Sequence, residues 1–373
     1  MPRHRFPRPL RIATVALAAM LWLWAAWAAA AITDVGHFLD QTESVRLSDH
    51  PRFVRMLAQI HRENPSMTSA QQWRLRYLDG WELAFRGDYV GAEAPLRDVI
   101  EHAGDAPLVA RASALLMNNL SIGHRYEEAY ALAGKLVVKL PELHDEGARV
   151  MVLQNLSQTL NAAGQTDLAL RYARMVASES NSPGTLCLSH SLEAAALFAG
   201  KLLNPQSPEL NLAIEACNHA DQQVVAATAQ LIKCSTYIDA KQPSRALELL
   251  QQIDPIIHRN RYSIQIPYLQ VETAQALAQL GRDNEAIQAA KAALASGSSS
   301  GVSEVLRDAY HVLYEIEKKR GHGMAALRFY EHYVTQNTGY LNDVSARALA
   351  YQRVQQNLLA QKMQNEALVR QNQ

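Results

Sequence analysis

Residues 297–301 read Gly-Ser-Ser-Ser-Gly, a literal Gly-x-Ser-x-Gly. That spacing can present a nucleophilic serine, but only on a sharp turn leaving a strand and entering a helix. Here helical patterns lie on both sides, so the stretch reads as a flexible connection. The thirteen histidines include no His-Glu-x-x-His pair or other metal spacing. His311, His322 and His332 fall near one another and read as solvated or hydrogen-bonded side chains. Cys187, Cys217 and Cys234 also lack ligand spacing and read first as small buried hydrophobes. If one disulfide closes, the expected pair is Cys217 with Cys234. There is no phosphate-cradling Gly-rich loop and no Walker-type lysine. The chain therefore reads as a non-enzyme, with no cofactor and no metal.

A second set of residues suits binding rather than bond-making. Trp81, Asn118, Gln158, Ser235, Gln275 and Glu315 each stand six residues before a helical turn. All but the tryptophan are polar and able to hydrogen-bond. Arg74 and Arg111 lie seven residues before Trp81 and Asn118, two turns up the same helix face. Side chains in such a line can hold an extended peptide, a protein segment or a small ligand.

The register comes from the turns. Gly281-Arg282-Asp283-Asn284-Glu285-Ala286 runs from a turn residue to an alanine five places on. Gly87 leads in the same way to Ala92, Gly164 to Ala169 and Gly321 to Ala326. His124 to Ala129 and Lys241 to Ala246 keep the spacing without the glycine. The alanines are 37, 40, 77, 40 and 40 residues apart. The gap of 77 is close to two units and implies a divergent copy marked near Ala213. Between the marks, apolar residues fall at i, i+3, i+4 and i+7, with almost no alternation of period two. A period near 40 with helical patterning means stacked helix pairs, because one hairpin cannot bury its own apolar face.

The unit resembles the tetratricopeptide repeat. Seven residues before the turn stand Gly80, Met117, Ser157, Cys234, Ala274 and Tyr314. Four of these are small, as tight helix packing in that family requires. Pro141 lies twelve residues after Ala129, where the family ends its second helix. The resemblance covers roughly residues 66–338, and its period is longer than the usual 34. It implies an all-α, right-handed superhelical solenoid of about seven hairpins over 66–340. It also implies that the line from Trp81 to Glu315 faces a concave groove. In the divergent unit, Pro205 and Pro208 make a loop after Gly200, read as a tolerated surface insertion.

The flanks differ from the array. Arg3, Arg5, Arg8 and Arg11 precede an uncharged run, 12–32, that ends Ala-rich. This reads as a signal peptide or membrane anchor over 1–31, which places the rest in a bacterial periplasm, soluble or anchored. Lys plus Arg and Asp plus Glu are 36 each, and setting aside those four arginines leaves 32 against 36. Such a balance gives no footprint for nucleic acid. Residues 32–65 read as a weakly patterned lead-in and a half-repeat, with Pro51 opening a helix that stops before Pro65. Residues 341–373 read as a coiled-coil-like helix. Its seam would be Val344, Tyr351, Val354, Leu358 and Leu368, and it would pair two copies of the chain.

Leader, long-period repeats and C-terminal helix together resemble the exported sensor region of bacterial GGDEF-type diguanylate cyclases. The resemblance implies a binding and sensory module that passes a signal through its last helix. These 373 residues hold no Gly-Gly-Asp-Glu-Phe signature, so no cyclase residue is carried over. The other expectation is a stand-alone periplasmic scaffold for envelope assembly.

Overall fold

The computed structural model describes residues 32–297 and 304–371. The Arg-rich leader and most of the Gly-x-Ser-x-Gly loop, 298–301, lie outside the described residues. No helix among the described residues is long and apolar enough to cross a membrane.

Sixteen α-helices and no strand make up the described chain. The first two are α1 (Val35–Ser44) and α2 (His50–Glu63). The hairpins follow: α3 (Ser69–Phe85) with α4 (Tyr89–His102), α5 (Ala106–Ile122) with α6 (Tyr126–Lys139), and α7 (Glu146–Ala162) with α8 (Thr166–Glu179). The divergent pair is α9 (Pro183–Ala199) with α10 (Pro208–His219). Then come α11 (Gln223–Asp239) with α12 (Pro243–Asn260), and α13 (Gln265–Gln279) with α14 (Asp283–Ser296). The last pair is α15 (Glu304–Lys319) with α16 (Gly323–Gln371). Consecutive helices pack on one another throughout, which makes the chain a helical solenoid of tetratricopeptide-like hairpins.

The turns share one backbone solution. The residue after each turn residue donates its N–H to a carbonyl five positions earlier: Arg125 to Leu120 at 2.9 Å, Gln165 to Leu160 at 2.9 Å, Arg282 to Leu277 at 3.0 Å. This closes the first helix with a left-handed residue. Gly87, Gly164, Gly281 and Gly321 have φ between 72 and 87°, and His124 and Lys241 adopt the same region. Lys201 and Asp221 do so too, each with the same bond, Leu202 to Leu197 and Gln222 to Cys217. Neither turn has glycine at the left-handed position, and only Asp221 keeps the five-residue step to an alanine, Ala226.

The alanine five residues on sits against the first helix of its own hairpin. Ala92, Ala129, Ala169, Ala246 and Ala286 have no exposed surface, nor does Ala213 of the divergent unit. Small residues opposite complete the contact. A Cβ on Gly80 would come within 3.0 Å of Leu96. Ser157 Oγ donates to the Ala169 carbonyl at 2.9 Å, and Cys234 Sγ approaches the Ala246 carbonyl at 3.8 Å.

Three expectations change. The weakly patterned lead-in forms α1, with Asp34 capping its first turn through the His37 N–H. Cys187 and Cys217 form the disulfide, joining α9 to α10 with Cα atoms 4.4 Å apart, and Cys234 is free and buried. The Cys217–Cys234 pairing fails because Cys234 lies at the α11–α12 contact, where its sulfur meets the Ala246 carbonyl. Finally, no boundary separates 66–340 from 341–373. With no proline between 323 and 371, α16 runs unbroken from the last hairpin.

The solenoid curls back on itself. Tyr262, between α12 and α13, stacks on Phe85 at 4.7 Å, and Ser263 Oγ donates to the Phe85 carbonyl at 3.2 Å. Then α16 crosses from the last hairpin to the second, where Tyr351 meets Tyr130 and Arg353 pairs with Glu127 at 3.0 Å. The curvature encloses a central groove of about 1500 Å³.

Candidate functional site

The inward faces of the first helices, α3, α5, α7, α9, α11, α13 and α15, line this groove, together with part of α16 and the loop after α9. Five of the expected groove residues are there: Trp81, Asn118, Gln158, Ser235 and Gln275. The helical repeat then adds neighbours on the same face. Gln154, Gln158 and Asn161 are spaced i, i+4, i+7 on α7, and Tyr268, Glu272 and Gln275 repeat that spacing on α13. The sequence carries that signal: one turn either side of Gln158 reaches Gln154 and Asn161, and one and two turns before Gln275 reach Glu272 and Tyr268.

Three expected residues are placed elsewhere. Arg74 and Arg111 both turn to Glu43 of α1, Arg74 through Nη2 at 2.8 Å with a second pair to Asp40. Arg111 also lies over the Tyr77 ring at 4.7 Å, and burial lowers its pKa. These arginines bind α1 to the first hairpins. The weak patterning of 32–49 carries no mark of α1, the helix whose Glu43 captures them. Glu315 is half exposed and pairs within its own helix with His311 and Lys318, each at 3.9 Å. On α15 the groove wall is formed instead by Glu304, Arg307 and Asp308.

The expected dimer seam is used within the chain. Val354 is buried and Tyr351 half-buried against α6, with Tyr351 edge-on to Tyr130 at 5.6 Å. Leu358 reaches Gly134, where a Cβ would lie 2.9 Å away. Val344 lines the groove. The side chain of Leu368 lies outside the described residues. These positions do carry an apolar seam, but the solenoid's curvature brings α6 under it.

Polar contacts fix the same crossing. Asp343 accepts from Tyr126, pairs with Arg347, and lies 2.8 Å from His124 Nδ1. Burial opposes ionisation of Asp343, but bonds from Tyr126 and His124 and the Arg347 charge outweigh it and hold its carboxyl below the usual range. Burial first, then the bond to Asp343, pushes the Tyr126 hydroxyl up to about 12.

The proline-containing loop, expected as an outer insertion, borders the groove through Lys201, Leu203, Asn204 and Pro205. Among the described residues no group of three or more His, Cys, Asp or Glu could hold a metal ion.

Groove-lining atoms are poised for an occupant. Asn119 Nδ2, Asn161 Oδ1, Gln265 Oε1 and Glu272 Oε2 are buried and have no hydrogen-bond partner in the protein. Each such atom costs about 1–3 kcal/mol, which a ligand supplying the missing partner recovers. Side-chain amides both donate and accept, so they match the alternating N–H and C=O groups of an extended backbone.

No family model and no curated protein match the chain. Among solved structures it is similar to a Rap protein complexed with competence and sporulation factor. That likeness has 13% identity over 83% of this chain and 99% of that one, with a TM-score of 0.48. It is also similar to Ton1535 from Thermococcus onnurineus NA1, at 12% identity over 83% and 99% of the two chains, with a TM-score of 0.29. The assignment of fold rests on the hairpin geometry of the chain itself.

Proposed function

We propose that the chain is an exported binding and sensory module whose groove takes an extended peptide or a segment of a partner protein. One observation carries this reading: the wall of amide side chains is shared with the outgoing helix. Tyr340, Val344, Arg347 and Ala348 of α16 line the groove that Asn118, Gln158 and Gln275 line from the repeats. An occupant therefore touches both the recognition surface and the helix that would pass a change onward. The two arrangements of α16 would be docked on α6 and released from it, the bistable element that signalling needs.

In this reading the module is the input region of a membrane-bound diguanylate cyclase signalling protein, with α16 as the link. The disulfide between Cys187 and Cys217 supports an oxidising, periplasmic setting.

Capped random hexapeptide pools, titrated against the purified chain, test the groove. Binding should fall at least tenfold in Gln158→Ala, and hydrogen exchange over 343–358 should change on saturation. Binding untouched by Gln158→Ala would sink the groove assignment, and unchanged exchange would sink the sensory role. Fusing residues 1–40 to alkaline phosphatase tests export, since enzyme activity in intact cells requires it.

A further inference from the structure

One wall of the groove is acidic and contains a carboxylate that the fold leaves half satisfied. Glu272 on α13 is 4% exposed. Its Oε1 accepts from Ser235 Oγ of α11 at 2.6 Å, while Oε2 is buried without a partner, and the residue lines the groove. Three further acids act on it: Asp239 from α11, and Glu304 and Asp308 from α15.

The cations nearby are already committed. Arg307 of α15 holds Asp308 at 2.6 Å and Glu304 at 3.3 Å, and its guanidinium lies over the Tyr340 ring of α16 at 4.4 Å. Lys233 of α11 donates to Asn211 at 2.7 Å, away from Glu272. Tyr268 and Cys234 complete the surroundings, and burial raises the pKa of both. Among the described residues this wall brings together four carboxylates, and Arg307 is engaged with two of them.

We propose that this wall is a subsite for one cationic group of the ligand, an ammonium or guanidinium carried on a peptide side chain and received by Glu272. The proposal deepens the peptide-groove reading and rests on it. Three properties fit a cation. Once its proton is displaced, the free Oε2 is a charged acceptor with no donor of its own. Enclosure strengthens the charge pairing relative to water. The ring of Tyr268, one turn before Glu272 on α13 and lining the same groove, suits a guanidinium or ammonium stem.

Burial, reinforced by Glu304, Asp239 and Asp308, raises the Glu272 carboxyl to about 8, against an opposing effect of the Ser235 bond. Near neutrality the empty subsite therefore keeps its proton. An arriving cation displaces that proton to the buffer, so affinity should rise about tenfold per pH unit below 8. An uncharged ligand has no reason to show that slope.

The test uses the full chain and three capped hexapeptide pools, with one position fixed as lysine, arginine or norleucine, and n-butylguanidinium as a separate small cation. At pH 8 the lysine and arginine pools should bind at least tenfold tighter than the norleucine pool. Glu272→Gln should abolish that advantage and its pH slope. The substitution is isosteric and keeps an acceptor for Ser235, so the variant should fold, and a thermal melt confirms it. Equal binding of all pools, or an advantage that survives Glu272→Gln, overturns the subsite and leaves the groove reading intact. Failure of every pool, with n-butylguanidinium still binding through Glu272, overturns the peptide reading and keeps the subsite. If nothing binds, both fall.

Discussion

Tyr351 on the C-terminal helix meets Tyr130 of the second hairpin edge-on, with ring centroids 5.6 Å apart. They are 221 residues apart in sequence. The contact turns an open spiral into a closed ring, because α16 then spans from the last hairpin to the second. Tyr351→Ala removes the ring pair and part of the buried apolar seam, a loss of about 1–3 kcal/mol. The cost falls on the docking of α16. Hydrogen exchange should speed up over 343–358 while α7–α13 keep their protection. Uniform loss of protection would show that the crossing is inseparable from the repeats.

The Glu272 carboxyl titrates near 8 in the fold, against an ordinary value of 4.5. Its folded-state pKa is raised, so the folded chain holds this proton more tightly than the unfolded chain does. That stabilisation is complete below pH 4.5 and is lost as pH rises through 8. Within this window the slope is about 1.4 kcal/mol per pH unit. Denaturant titrations at pH 6 and 8 should show lower stability at pH 8 in the native chain. The difference should shrink in Glu272→Gln. A pH response identical in the two proteins would place the titration elsewhere.

Lys241 takes a left-handed conformation, φ 57°, at a turn where sister units use glycine. A side chain there carries a steric cost of about 1–2 kcal/mol, of which glycine returns part as added freedom of the unfolded chain. Lys241→Gly should therefore stabilise the protein by roughly 0.5–1 kcal/mol. The denaturation midpoint reads the change directly, and a lower midpoint contradicts it. His124 shares the geometry but also approaches Asp343 at 2.8 Å, so His124→Gly should gain less.

Cys187 and Cys217 tie the irregular unit together across 30 residues. Closing a loop of that length restricts the unfolded chain by about 3.6 kcal/mol. The double variant Cys187→Ser with Cys217→Ser should lower stability by about that amount. Reducing agent should shift the midpoint of the native chain and leave that of the double variant in place. Cys234→Ser should keep the response to reducing agent, since its thiol is not in the bond.

Much of the local architecture was legible because it is set by short-range rules. A left-handed turn needs glycine or pays for its absence, and the alanine after it must fit against a neighbouring helix. That pairing placed six hairpins and the register of Trp81, Asn118, Gln158, Ser235 and Gln275. The turn at Lys201 escaped, since it has neither glycine at the left-handed position nor an alanine five residues on, while Asp221 keeps the step to Ala226 without the glycine. Lengthening of the α9–α10 connection hid the alanine spacing in that unit as well.

Taken alone, the sequence determined the helical hairpins, their period and the face each first helix turns inward, because these follow from residues within about 20 positions of one another. The curvature of the stack decided the rest. It brought α16 onto α6, so that an apolar seam suited to a partner chain became an internal contact. It placed Glu43 between Arg74 and Arg111 and drew those cations off the groove. It set Glu272 of α13 among Asp239 of α11 and Glu304 and Asp308 of α15. Small rotations at each hairpin add up over the array, and no single repeat records their sum.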